Sequence, residues 1–99
     1  MATAQQVIAH IDGYMKKFPN TTNRQWYVGI ATDARQRVFN DHQVSEQLDA
    51  WAYMAADSSA IARSVEAIYH NAGCDGGPGG GDNMTVVVYA YLKSFRTNP

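Results

Sequence analysis

The sequence predicts a small α/β domain, a single sheet of about three strands with three helices packed on it. Three observations carry this. Segments with helical apolar spacing alternate with short β-branched or aromatic runs, giving the order helix, strand, helix, strand, helix, strand. The chain has 99 residues, enough for one modest core, so residues 1–99 read as one domain. Its composition, 45 % hydrophobic and 17 % charged, is that of an ordinary globular chain.

The first helix is expected over residues 4–18. Thr3 and Gln6 have capping-box spacing, and Val7, Ile8, Ile11, Tyr14, Met15 and Phe18 recur at helical intervals until Pro19. Trp26 to Ala31 (WYVGIA) is short, aromatic and β-branched, the pattern of a buried strand. Asp33, with Gln36 three residues on, caps a second helix over residues 34–42. That helix aligns Ala34, Val38 and His42, with Arg35 beside them nearer the inward face than Arg37, and Arg37 and Asp41 are spaced as an ion pair.

Ala50 to Ala55 (AWAYMA) reads as a strand, with a helix over residues 45–56 as the alternative. Asp57 or Ser58 then caps a third helix carrying Ile61, Ala62, Val65, Ile68, Tyr69 and Ala72, which Gly73 ends. Met84 to Leu92 (MTVVVYAYL) is apolar on both alternating sets, as a central strand covered on both faces would be. The connections are long enough for parallel pairing.

Between the third helix and that strand, GCDGGPGGGDN (Gly73 to Asn83) holds six of the chain's eight glycines. Ordering eleven residues costs on the order of 10 kcal/mol, so the loop is expected to pack on the first strand or close over a ligand. Asp75 and Asp82 are expected to hold its amides. Successive glycine amides can cradle an anion, which makes Gly77, Gly79, Gly80 and Asn83 candidate phosphate contacts. No Lys-Ser/Thr follows and a strand comes next, which excludes a Walker loop and a Rossmann fingerprint.

Charge and cysteine usage exclude more. A net charge of −1 is unlike that of a protein holding nucleic acid through a broad basic surface, so any such contact is local. The single cysteine, Cys74, forms no internal disulfide and has no zinc-ligand spacing around it. No run is long enough to span a bilayer and no signal core is evident, so the expected compartment is the cytoplasm with no membrane partner.

The segment WYVGIATDARQRVFNDH, Trp26 to His42, resembles the second half of the GIY-YIG nuclease signature, in which a Tyr-Ile/Val-Gly strand turns into a helix carrying an active-site arginine. The resemblance covers about a fifth of the chain. It implies that Tyr27 is the motif tyrosine and that Arg37, eight residues after Gly29, contacts the scissile phosphate. Glu66, the only carboxylate inside the third helix, would hold a divalent metal, Mg²⁺ or Mn²⁺, and His42 lies one residue beyond the family's histidine position.

The strand bearing the first half of the signature has no counterpart before Tyr27, where the chain reads as a helix and a polar loop. Tyr89 or Tyr91 of the last strand is available in its place. The implied function is binding, and metal-dependent hydrolysis, of a phosphodiester in nucleic acid by Tyr27, Arg37 and Glu66. Two alternatives stand beside it. One is a non-catalytic protein that sequesters a nucleotide or phosphorylated small molecule with Arg35 or Arg37, His42 and the glycine loop, at a homodimer interface in one version. The other is a protein-interaction module on the same scaffold.

Overall fold

A computed structural model describes residues 2–77 and 82–99. Helix α1 spans Ala4–Met15, opened by the expected capping box: Thr3 Oγ1 accepts from the Gln6 amide at 3.2 Å and Gln6 Oε1 accepts from the Thr3 amide at 2.9 Å. Val7 and Ile11 face inward and are fully buried, each stabilising the fold by about 1.5–3 kcal/mol. The helix stops three residues before the expected end because Lys17 and Phe18 donate to carbonyls only three residues back, tightening the last turn. Phe18 still packs, edge-on against Trp26 with ring centroids 5.6 Å apart.

Strand β1, Trp26–Ala31, is buried along its whole length. The second helix is shorter than expected and differs in kind: Gln36–Asp41 is a π-helix, continued by a bond from the His42 amide to the Arg37 carbonyl, five residues back. Asp33 caps its approach through the Gln36 amide, as the sequence predicts. Strand β2 is Trp51–Ala55, which decides the ambiguous segment in favour of the strand.

Helix α2, Ser59–Asn71, is capped by the Ser58 hydroxyl on the Ile61 amide. It ends in a left-handed Gly73, φ 108°, from which the Cys74 amide returns to the Tyr69 carbonyl. Strand β3, Val87–Leu92, starts three residues later than expected.

The sheet order is β1-β3-β2, and both pairings are antiparallel. The connections are long enough for parallel pairing, but among the described residues no hydrogen-bonded pair of strands uses it. The crossover from β1 does deliver β2 parallel to it, but the slot between them is filled by β3, which runs the opposite way and takes the hydrogen bonds of both. The central, doubly covered strand is the one its composition predicts.

The register sorts side chains between two cores. Trp26, Val28 and Ile30 lie beside Leu92, Ala90 and Val88, then Ala52 and Met54, on the face covered by α1 and α2. Tyr27, Gly29 and Ala31 lie beside Tyr91, Tyr89 and Val87, then Trp51, Tyr53 and Ala55, on the face covered by Ala34 and by Val38 of the π-helix.

Both sheet edges are partly satisfied locally. Asp75 runs along β1, donating to Trp26 O and accepting from Val28 N at 2.8 and 2.9 Å. The Ala2 amide bonds the Ala55 carbonyl, and the Tyr14 hydroxyl accepts from the Trp51 amide on the outer side of β2.

Candidate active site

At the β1 edge of the tyrosine face, a cleft of about 610 Å³ opens between β1, the π-helix, the α2 residue Glu66 and the segments flanking the glycine run. Tyr27, Arg37 and Glu66, which lie on three different elements, all line it. So do Tyr89 from the central strand, Gly77 on one side of the glycine run, and Asp82 and Thr85 on the other.

The local sequence explains each placement. Tyr27 points to this face because it alternates with the buried Trp26 and Val28. Burial, then the Asp75 carboxylate, push its hydroxyl above the usual phenol range, so it is a neutral hydrogen-bonding group at neutral pH. Arg37 leaves the π-helix on the cleft side and pairs with Asp41 at 3.2 Å. Both are about half exposed, so the pair contributes under about 1 kcal/mol and yields readily to a stronger anion.

Glu66 is 9 % exposed, and desolvation by burial raises its carboxyl above the usual range, opposed by His70 and Arg63. His70 lies one turn on. Its Nε2 is 2.8 Å from the Val28 carbonyl, which can only accept, so that nitrogen carries the proton; it is 4.0 Å from Glu66 Oε2.

Of the two tyrosines that the last strand offers, Tyr89 is the one at the cleft. It is 1 % exposed, yet its ring crosses Gly29 to reach the cleft, while Tyr91 is fully buried and does not line it. The signal was present in two strands at once: tyrosines on one face of VYAY, and in the paired strand a glycine where Tyr89 needs room.

The other candidates lie differently. Arg35 turns away, 3.0 Å from Glu46 and over the Phe39 ring, and is not part of the cleft lining. His42 is buried behind the cleft among Tyr27, Tyr89 and Tyr91. Asn83 is exposed in the turn before β3 and outside the lining. Gly79 and Gly80 lie outside the described residues. Of the loop's expected anchors, Asp75 Oδ1 accepts from the Gly76 amide and Asp82 Oδ1 from the Met84 amide, each at 2.8 Å.

The cleft has an acid excess: Asp33, Asp41, Glu66 and Asp82 against the single guanidinium of Arg37. Among the described residues no three His, Cys, Asp or Glu side chains form a ready-made metal cage. Glu66 still suits Mg²⁺ or Mn²⁺, because such ions commonly take one or two carboxylates and complete their shell with water and substrate phosphate.

Among the described residues, no helix is long and apolar enough to cross a membrane. In comparisons with protein-family models, curated proteins and solved structures, nothing matches this chain.

Proposed function

We propose that this domain binds a phosphodiester of nucleic acid in the cleft and hydrolyses it with Mg²⁺ or Mn²⁺. The observation that carries the reading is the convergence on one cleft of Tyr27, Arg37 and Glu66, 10 and 29 positions apart in sequence, with Tyr89 beside them. The charge balance supports it as well. Four carboxylates and one arginine repel a bare phosphate and accept one that arrives with a divalent cation. A nucleotide sequestered without metal fits that balance less well.

Each group has a role that its environment allows. Arg37, released from Asp41, neutralises charge that builds on a phosphoryl oxygen. The Glu66 carboxylate would hold the metal, which when bound supplies further charge neutralisation at the phosphate. The neutral hydroxyls of Tyr27 and Tyr89 orient the attacking water by hydrogen bonds.

Cleavage of labelled single- and double-stranded oligonucleotides with Mg²⁺ or Mn²⁺ tests the reading. Wild-type chain should cut, and Glu66→Gln should lose ~100-fold or more of the rate with an unchanged circular dichroism spectrum. No cleavage and no binding of any oligonucleotide by wild type, or full activity in the variant, overturns it.

A further inference from the structure

Behind the cleft, His42 is held from three sides. Its Nδ1 is 2.8 Å from the backbone carbonyl of Asn98, its Nε2 is 2.8 Å from the Tyr89 hydroxyl, and the Tyr91 hydroxyl is 3.1 Å from Nδ1. A carbonyl oxygen can only accept, so Nδ1 carries the ring proton and shares it between Asn98 and Tyr91. Nε2 is then a lone pair, and the Tyr89 hydroxyl must donate to it. This leaves the Tyr89 oxygen facing the cleft with acceptor lone pairs only.

The Asn98 carbonyl is brought there by the segment after β3. The Lys93 amide donates to Gln25 O at 2.8 Å. Ser94 Oγ and the Arg96 guanidinium then grip Asp49, whose side chain is 2 % exposed. A turn follows in which the Thr97 hydroxyl donates to the Ser94 carbonyl at 3.0 Å, and the Asn98 amide donates to the His42 carbonyl at 2.7 Å. Residue 98 is therefore clamped to His42 by two reciprocal bonds, one through the backbone and one through the ring.

We propose that residues 93–98 are a working part of the site: the Asn98 carbonyl fixes the tautomer of His42, and His42 thereby sets the direction of the Tyr89 hydroxyl. His42 and Asn98 are positioning groups, since neither lines the cleft. The proposal rests on the hydrolytic reading for its purpose but not for its geometry. Burial keeps His42 neutral by lowering its affinity for a second proton, and the Arg37 charge acts in the same direction; the Asn98 bond and Asp41 oppose them, and Tyr27, Tyr89 and Tyr91 are the remaining titratable groups around the ring.

Nitrogen-15 NMR of the full chain reads this directly, whether or not it cleaves nucleic acid. At pH 7 His42 should show a protonated Nδ1 and an unprotonated Nε2, with a slowly exchanging Tyr89 hydroxyl proton correlated to Nε2. A chain ending at Thr97 keeps the Asp49–Arg96 grip and so the fold, but should lose the fixed tautomer and that hydroxyl signal. Asn98→Ala keeps the backbone carbonyl and should retain both.

Where cleavage is measurable, the shortened chain should be slower by on the order of 10-fold or more, with most of the loss in kcat. An Nε2-protonated His42 in wild type, or an unchanged Tyr89 hydroxyl signal in the shortened chain, overturns the proposal. Neither of those results touches the hydrolytic reading, which fails only on the oligonucleotide assay.

Discussion

Gly29 and Tyr89 are cross-strand partners, and a Cβ on Gly29 would lie 2.5 Å from the Tyr89 hydroxyl oxygen and 2.6 Å from its ring carbon. The missing side chain on β1 is the space through which the tyrosine of the central strand reaches the cleft. Because Tyr89 is buried and tied to His42, it has little room to yield. Gly29→Ala should therefore destabilise the domain by about 1–3 kcal/mol and remove the Tyr89 contact from the site. Urea denaturation checks the first effect; a midpoint equal to wild type would mean the ring moves freely.

Glu66 should be a residue that costs stability where it is. Burial raises its folded-state pKa above the unfolded value, so its stabilising contribution is fully present below the unfolded pKa, about 4.3, and is lost as pH rises through the folded pKa. Glu66→Gln, which cannot ionise, should be more stable than wild type at pH 7, and the difference should shrink on acidification toward pH 4. Thermal melts across that range measure it. A variant less stable than wild type at neutral pH contradicts the burial argument.

Gly77 separates stability from function. A Cβ there would sit 2.8 Å from the Tyr27 hydroxyl at the cleft and, among the described residues, would meet nothing else within 4 Å. Gly77→Ala should push on the Tyr27 hydroxyl and not on its packed ring, change stability by less than about 1 kcal/mol and, on the proposed hydrolytic reading, reduce cleavage. The expected pattern is an unchanged melt with impaired turnover; normal turnover would remove Tyr27 from the mechanism.

Asp49 and Arg96 should dominate the response to acid near the end of the chain. Burial would raise the Asp49 carboxyl, but hydrogen bonds from Arg96, the Ser45 amide and Ser94 outweigh it and hold the group below the usual range. The associated stability is present above the unfolded pKa, about 3.9, and is lost as pH falls through the lower folded value. Arg96→Ala should cost about 1.5–3 kcal/mol at pH 7, with the gap to wild type narrowing below pH 4. A gap independent of pH would point to lost packing of Arg96 on Phe95 instead.

Much of the architecture is legible residue by residue. The Thr3–Gln6 box, the Ser58 cap and the left-handed Gly73 are local chemistry, decided within a turn of the residue concerned. So are the Arg37–Asp41 pair and the apolar character that marks β3 as central. The pairing direction was not legible, because it depends on which strand enters the gap between β1 and β2, and that strand lies more than thirty residues further along. The π-helix was not legible either: Arg37 lies within it on the cleft side while Arg35, just before it, pairs with Glu46, the reverse of the order that an α-helical projection gives.

The sequence by itself determined the two α-helices and the first and last strands, and its resemblance to a nuclease signature singled out Tyr27, Arg37 and Glu66. The elements follow from short-range spacing and side-chain type; the three residues follow from the resemblance. Only the tertiary structure decided that the three share one cleft, that Tyr89 rather than Tyr91 joins them, and that His42 stands behind the site under the hold of Asn98. These depend on strand register and chain return, where contacts between residues 47 and 56 positions apart must be satisfied together.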